Sequence, residues 1–465
     1  MTGLFDLDEG FYGAVVAEMN RRGEWITPYF NGSPWFEKPI LLYWLAKPCV
    51  AVFGNMIGPR LPSVLSAIGC FALVGGYVRR KVSDEAAALS VMVLGSSLLF
   101  VALSRLMMTD MPLALAFSGA MFAFWESLVG DARWRILTAA LLGVAVLAKG
   151  PVALILFALI AGWTFYRERD IRPKFRGWWL TGTLAMAAVI ASWYVPAYLA
   201  NGHLFVQKFL IEQNVGRFTG GDQAHTIRAW WAYFLYIPIL LLGMMPWSGW
   251  IFGAIRDDSK NRLEDGGFRR FLTAWAAIVF LFFSASSAKL PHYVLPVVIP
   301  LAALVGIHLA SSNWRKTLTL GFGWTVAVAI ASNVGISWWY GKSGQAEAHS
   351  LVAQLRASNP DLSDKSVAVF QMPRRQKELG TGKPKLQETS LPSLVLYLGV
   401  PVNEAENAKE VVGRGSRWVF TRKGRITPAV VADFGSLGTQ LVAVESGENF
   451  ELYEVRRMAV AGSQP

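Results

Sequence analysis

The chain has 465 residues, of which 53% are hydrophobic and only 16% charged. A soluble domain carries about 25% charged residues, so the composition argues against a soluble globular enzyme and for a chain that is mostly membrane-spanning. Its 44 Lys and Arg exceed its 32 Asp and Glu to give a net charge of +12. The cations lie in short loops between apolar runs, as orientation signals do, so nucleic acid is not the expected partner.

Nineteen Trp and 28 Phe fit aromatic belts at two membrane interfaces. The two cysteines, Cys49 and Cys70, fall in apolar stretches and imply no disulfide framework. No cleavable signal peptide is expected, because acidic residues follow Met1 almost at once.

In chain order, the first feature is Asp6-Leu7-Asp8-Glu9-Gly10-Phe11-Tyr12. Residues 10–22 then set Phe11, Tyr12, Val15, Val16 and Met19 on one helical face and Glu18, Arg21 and Arg22 away from it. This pattern predicts a short amphipathic helix at the membrane surface. A second acidic and aromatic cluster, Trp35-Phe36-Glu37-Lys38-Pro39, leads into an apolar stretch over 38–54, read as a second interfacial helix rather than a span.

Ten apolar segments are read as membrane spans, at about 60–80, 85–103, 111–129, 136–148, 151–166, 178–199, 229–255, 271–287, 293–310 and 317–339. Arg79-Arg80-Lys81, Arg133 with Arg135, the run Arg167 to Arg176, the stretch Arg256 to Arg270, and Arg315-Lys316 then all take the cytoplasmic side. The opposite side collects residues 1–59, the Arg105–Asp110 turn, Lys149-Gly150-Pro151, the 200–228 loop, the Lys289–Tyr293 turn and everything after 340. Every cluster with chemical potential falls on that one side. After Tyr340 charges return, and strands are predicted at Ser366–Met372, Arg417–Thr421, Gln440–Glu445 and Phe450–Val455, with a helix over 346–357. Gly447-Glu448-Asn449 would turn the last two strands into a hairpin. The fold class is therefore mainly α: residues 1–340 form a polytopic helical membrane domain with interfacial helices in its first outer loop, and 341–465 a small soluble α/β domain.

Charges that a lipid-soluble chain keeps outside its basic loops are costly and usually functional. Asp6 and Glu9 have a structural reading as a capping box, which leaves Asp8 unexplained. A carboxylate there can take a proton from an attacking hydroxyl, and Tyr12, four residues on, shares its face. Glu37-Lys38 reads either as a surface ion pair or as a lysine holding an anionic head group, with Glu37 alternatively a metal ligand. Asp110 reads as the N-cap of the next helix, with Pro112 in the first turn and Arg105 holding the carboxylate ionised. Lys149, Arg217 and Lys289 can each be a snorkelling cation; three on one side suggest a phosphate clamp. His225 is either a hydrogen-bonded loop residue or a metal ligand, the former being commoner.

Asp8-Glu9-x-x-Tyr12, Asn31-Gly32 and Phe36-Glu37-Lys38-Pro39 resemble the first periplasmic loop of the bacterial aminoarabinose lipid A transferases. These belong to the GT-C superfamily, whose relatives include the protein O-mannosyltransferases. The resemblance runs through Arg60-Leu61-Pro62, Thr109–Pro112, Ala148–Pro151, Asn214–Phe218, His225, Met245-Pro246-Trp247 and Lys289–Pro296, covering roughly residues 5–310. It implies inverting transfer of a sugar from a polyprenyl-phosphate donor to an acceptor, lipid A or another lipid or glycan, at the periplasmic face of a bacterial inner membrane. Asp8 and Asp110 would match the essential acidic sites. Glu9, Tyr12, Lys38, Lys149, Arg217, Lys289 and Tyr293 would bind the donor and its phosphate, the last five lining the donor-phosphate cavity. Glu37 and His225 would match positions that hold a zinc ion; a divalent metal, zinc, manganese or magnesium, is thus an implied cofactor that the chemistry does not require. The resemblance also implies a transmembrane helix ahead of the first acidic loop, whereas Met1 stands only seven residues before Asp8. It implies further helices after Tyr340 as well, so it leaves the sugar open. Two rival readings remain: a protein O-mannosyltransferase, and a transporter or flippase of a lipid-linked sugar, whose sites usually lie at the midplane on repeated, broken helices.

Overall fold

The computed structural model describes residues 3–6, 8–131, 133–167, 179–215, 229–257, 267–311, 314–372 and 391–458. The chain is mainly helical and divides into two compact units, Met1–Trp35 with Lys47–Pro59 and Asn333–Pro465, and Phe36–Ala46 with Arg60–Ser332. Residues 1–35 and 47–59, placed with the membrane helices by sequence, thus cluster with the C-terminal region.

The helices in chain order are α1 (Asp8–Arg21), α2 (Leu41–Ile57), α3 (Leu61–Lys81), α4 (Asp84–Ser96), α5 (Leu98–Ser104), α6 (Asp110–Val129), α7 (Trp134–Lys149), α8 (Val152–Arg167) and α9 (Trp179–Asn201). They continue as α10 (Tyr236–Gly243), α11 (Ser248–Asp257), α12 (Phe268–Ala285), α13 (Leu295–Ala310), α14 (Trp314–Lys342), α15 (Gln345–Ser358), α16 (Ser393–Leu398), α17 (Ala408–Gly413) and α18 (Pro428–Ser436). Among the described residues six helical stretches are long and apolar enough to cross a membrane, and eight if each bent pair is one span. The chain is a multi-pass membrane protein on that measure.

Every expected span falls on helix, but two are broken, and those expected at 136–148 and 151–166 fall on α7 and α8, which at 16 residues each are shorter than the six to eight candidate spans. The segment expected at 85–103 bends by 68° between α4 and α5, where Ser97 is extended at φ −70°, ψ 125°. The segment at 229–255 bends by 104° around Pro246, which has no backbone N–H to donate. The stretch 38–54, expected at the interface, falls largely on α2, which together with α3 is long and apolar enough to cross a membrane and is interrupted at Gly54, at φ 72° and ψ 178°.

Within the helical unit α13 is the centre of packing. Its sequence, LPVVIPLAALVGIHLA, is apolar all round, and a helix of that kind is buried on every side. Around it Tyr77 of α3 stacks on Phe122 of α6 at 4.4 Å, and Trp125 of α6 on Phe271 of α12 at 5.0 Å. Gly306 lets α13 approach α4 so closely that a Cβ would lie 2.3 Å from Ser90 Oγ and 2.4 Å from its backbone nitrogen. Small residues at such crossings allow close backbone approach in membrane helices. By contrast α9 and α14 turn Leu184, Leu199, Leu320 and Ile330 outward, as surfaces facing hydrocarbon do.

The other unit carries a five-stranded mixed sheet of β3 (Val367–Phe370), β4 (Asn403–Ala405), β5 (Trp418–Arg422), β6 (Thr439–Ser446) and β7 (Phe450–Arg457), in the order β4-β3-β5-β7-β6. β3 runs parallel to β4 and β5, and β5-β7 and β7-β6 are antiparallel. The four predicted strands and the helix over 346–357 are present; β4, three residues long, carries too little pattern to predict. Also unforeseen is the hairpin of β1 (Tyr29–Phe30) and β2 (Ser33–Pro34), turned at Asn31 (φ 51°) and Gly32 (φ 84°). Asn-Gly is the commonest turn of that type. The Asn31 side chain accepts from Val402 N at 2.7 Å and donates to Glu404 Oε1 at 3.1 Å, pinning the hairpin to the β4 edge.

Helix α1 departs from its surface reading. Glu18, expected away from the apolar face, is 2% exposed, accepting from Arg22 Nε at 2.9 Å and Gly32 N at 3.1 Å. A carboxylate can be buried when its lone pairs are so occupied. Helix α1 packs on α16 through Gly10 and Gly13, and Phe11 of its apolar side meets Phe30 at 4.3 Å and Trp35 at 4.5 Å.

Replacing Gly306 by Leu should force α13 away from α4 and cost roughly 1–3 kcal/mol or more. A lower unfolding temperature in detergent, with the helical signal retained below it, is the expected result.

Candidate active site

Five of the residues singled out in the sequence meet in the helical unit. Asp110 is the first residue of α6, not its N-cap, which is Thr109; its side chain is therefore free to turn inward, and it is 3% exposed. Lys149 ends α7, where Gly150 takes φ 87° and Pro151 prevents continuation. The contacting helices α6 and α7 thus bring the start of one beside the end of the other. Lys149 Nζ donates to Asp110 Oδ1 at 2.5 Å and lies 4.6 Å from the centre of the Tyr293 ring. Lys149 and Lys38 are the lysines whose charge favours the ionised Asp110 carboxylate, and His292 adds to them when protonated. Arg105, expected to do so, instead donates to Ser332 Oγ at 3.0 Å.

In front of the pair is a cavity of about 100 Å³ whose lining includes Glu37, Lys38, Lys149, Tyr293, Phe209 and Gln213. Lys38 is set there by its neighbour Phe36, whose ring meets Phe205 at 5.3 Å. Phe205 stacks on Phe209 at 5.3 Å, and both abut Trp193 of α9. Phe209 and Gln213 lie on a π-helix, Val206–Val215; such geometry is rare and frequent at functional sites. The cavity therefore offers two ammonium groups against one carboxylate, that of Glu37, with a phenol and an apolar aromatic wall. That suits an anionic head group carrying a hydrocarbon tail.

Lys289 does not line this cavity. It is 5% exposed, donates to Phe283 O at 2.8 Å and Ser284 O at 2.7 Å, and caps the C-terminus of α12. It lies 5.2 Å from the Tyr236 ring, and burial holds its ammonium below the usual lysine range. Tyr236 Oη braces the same turn, donating to Leu290 O at 3.0 Å and accepting from Leu290 N at 3.2 Å.

Asp8, Glu9 and Tyr12 belong to the other unit. Asp8 is exposed at the start of α1 and accepts from Tyr12 Oη at 3.4 Å. Glu9 is 2% exposed and accepts from Phe5 N at 3.0 Å. Arg217 and His225 lie outside the described residues. Among the described residues no group of three His, Cys, Asp or Glu gathers as a metal site. The residues that sequence reasoning missed are His292, Phe209 and Gln213. His292 stands inside the Lys289–Tyr293 turn and Gln213 just before Asn214–Phe218, so adjacency to those motifs was the available signal.

Comparison with known proteins bears on this geometry. A family model described as dolichyl-phosphate-mannose-protein mannosyltransferase matches residues 37–194. The chain is 31% identical over 311 residues to the undecaprenyl phosphate-alpha-4-amino-4-deoxy-L-arabinose arabinosyl transferase of Pseudomonas aeruginosa, covering 65% of this chain and 55% of that protein. It is likewise 31% identical over 316 residues to the protein of the same description from Edwardsiella ictaluri, again over 65% and 55%. The chain spans about half the length of the curated relatives it matches. Its fold is similar to that of ArnT from Cupriavidus metallidurans bound to undecaprenyl phosphate, with TM-score 0.75 at 19% identity over 100% of this chain and 96% of that one. The apo oligosaccharyltransferase of Archaeoglobus fulgidus matches more distantly, with TM-score 0.51 at 12% identity over 90% and 66%.

Removing one partner of a buried ion pair leaves an uncompensated charge. Lys149→Met should therefore lower the unfolding free energy by about 3–5 kcal/mol. The double replacement Asp110→Leu with Lys149→Met should recover most of that loss in thermal unfolding measured in detergent.

Proposed function

From a chain that resembles the aminoarabinose transferases of the GT-C superfamily in sequence and shares their fold, we propose an integral-membrane, inverting glycosyltransferase. It moves a sugar from a polyprenyl-phosphate donor to a lipid or glycan acceptor, lipid A first among them. The observation that carries this is the cavity in which Lys38 and Lys149 face an apolar aromatic wall, with Asp110 buried behind Lys149. The eight spans together with α7 and α8 make ten crossings of a bacterial inner membrane. The basic residues that end α3 and α8 then take the cytoplasm, and the Lys149 turn the periplasmic side.

In the reaction the bond between the sugar's anomeric carbon and the phosphate oxygen breaks, and the acceptor oxygen bonds that carbon from the opposite face. Charge builds on the departing polyprenyl phosphate while the sugar passes through an oxocarbenium-like state. Lys38 and Lys149 neutralise the leaving phosphate, with Arg217 assigned the same task, and Tyr293 holds the Lys149 ammonium in place from its ring face. Asp110 fixes Lys149. Asp8, supported by Tyr12 and Glu9, takes the proton of an acceptor hydroxyl or orients the acceptor; a phosphate acceptor has little proton to give up. Lys289 contributes by holding the turn that carries His292 and Tyr293. A divalent ion held by Glu37 and His225 is a separate proposal, and no step above passes through it.

A second reading is transfer to protein Ser or Thr, favoured by the description of the family model that matches residues 37–194. The test is purified protein with labelled undecaprenyl phosphate-4-amino-4-deoxy-L-arabinose and lipid A, the products read by mass spectrometry of lipids and of proteins. Labelled lipid A is the expected product; labelled protein selects the second reading, and movement of the donor without product selects a transporter. Asp8→Asn should fold normally and lose transfer. Lys38→Ala should lower kcat about 100-fold, the usual effect of deleting one donor to a developing anion. Chelation with EDTA should leave transfer unchanged, and its loss would assign the ion a catalytic part.

A further inference from the structure

Asp6 was read as the cap of its own helix, yet its carboxylate is bonded far along the chain. Oδ1 accepts from Ser393 N at 2.8 Å and Oδ2 from Ser393 Oγ at 2.7 Å. His349 Nε2 lies 2.7 Å from that same Oγ, and His349 Nδ1 is 2.6 Å from Tyr340 Oη. The single Ser393 hydroxyl proton is given to the carboxylate, so His349 donates from Nε2 and accepts from the phenol at Nδ1. Every bond then points one way, from Tyr340 through His349 and Ser393 to Asp6. Asp6 is 9%, His349 7% and Ser393 0% exposed. With Ser393 sealed and His349 lying between Ser393 and a tyrosine, this is not a nucleophile with its base.

The backbone around the chain is seated equally closely. A Cβ on Gly3 would lie 2.3 Å from Tyr340 Oη and 2.9 Å from His349 Nδ1. One on Gly10 would lie 2.5 Å from Asp6 Oδ1 and 2.7 Å from Ser393 Cβ. Leu4 N donates to Tyr397 Oη at 3.0 Å, and the Tyr397 ring packs on His349 at 4.0 Å. Only one residue separates Asp6 from Asp8, so whatever holds Asp6 sets where α1 begins.

We propose that the Tyr340–His349–Ser393–Asp6 chain makes the C-terminal domain the template for the first acidic loop, with Asp6 a positioning residue for the Asp8 carboxylate. The proposal rests on the reading that Asp8 takes part in transfer. Its chemistry explains why the domain is joined to α1 by buried polar bonds: these fix direction, which apolar packing does not. Misplacing a reacting group by about 1 Å can cost about 100-fold in rate.

The test uses the full chain in detergent with the labelled aminoarabinose donor and lipid A. Asp6→Asn and Ser393→Ala should lower kcat about 10- to 100-fold, while KM for the donor and affinity for undecaprenyl phosphate stay within about twofold of the parent. His349→Gln, which keeps an N–H for Ser393 Oγ, should recover much of the activity that His349→Ala loses. If Asp6→Asn does not accumulate, Ser393→Ala carries the test, because it retains the backbone bond to Asp6. Normal kcat in both variants beside an inactive Asp8→Asn overturns the proposal alone. Normal kcat in Asp8→Asn overturns it together with the reading beneath it.

Discussion

A charge taken out of water needs a partner, and in the helical unit Asp110 and Lys149 supply one to each other. The pair determines much around it. It needs α6 to begin and α7 to end at the same place, which Pro112 and the Gly150-Pro151 turn ensure. It needs the apolar packing of α13 and its neighbours to hold those ends still. It also leaves Lys149 presenting the rest of its ammonium toward Tyr293 and the cavity, so one side chain serves both the interior and the site.

Helical organisation was legible in the sequence because hydropathy and basic loops are local signals, and all ten expected segments fall on helix. Their breaks were less legible. Ser97 carries no marker of an extended residue, and Met245-Pro246-Trp247 was read as a motif rather than as a bend. The cavity was readable in part. Lys38 and Lys149 stand out by their chemistry and Tyr293 by the family resemblance, and the three line one cavity, while Asp110 has Lys149 rather than Arg105 as partner.

What the sequence concealed was pairing. Lys289 looks like a free cation until its ammonium is seen on the carbonyls of Phe283 and Ser284. Glu18 looks solvated until Gly32 and Arg22 are found on its oxygens. Asp6 looks like a local cap, yet its partner Ser393 lies 387 residues away. A residue's type states which bonds it can make, and only tertiary structure states which it makes. The unpredicted Asn31-Gly32 hairpin is the opposite case: the dipeptide is a sufficient local signal, but strands of two residues are too short to show alternation.

The Asp110–Lys149 pair also has a polarity. Asp110 stands at the amino end of its helix and Lys149 at the carboxyl end of the neighbouring one, where the aligned peptide dipoles favour a negative and a positive charge respectively. Each ion is thus favoured by its own helix before it meets the other. Transposing the two side chains would conserve the bond and the net charge while opposing both dipoles, so the site is directional even though a salt bridge, drawn on paper, is symmetric.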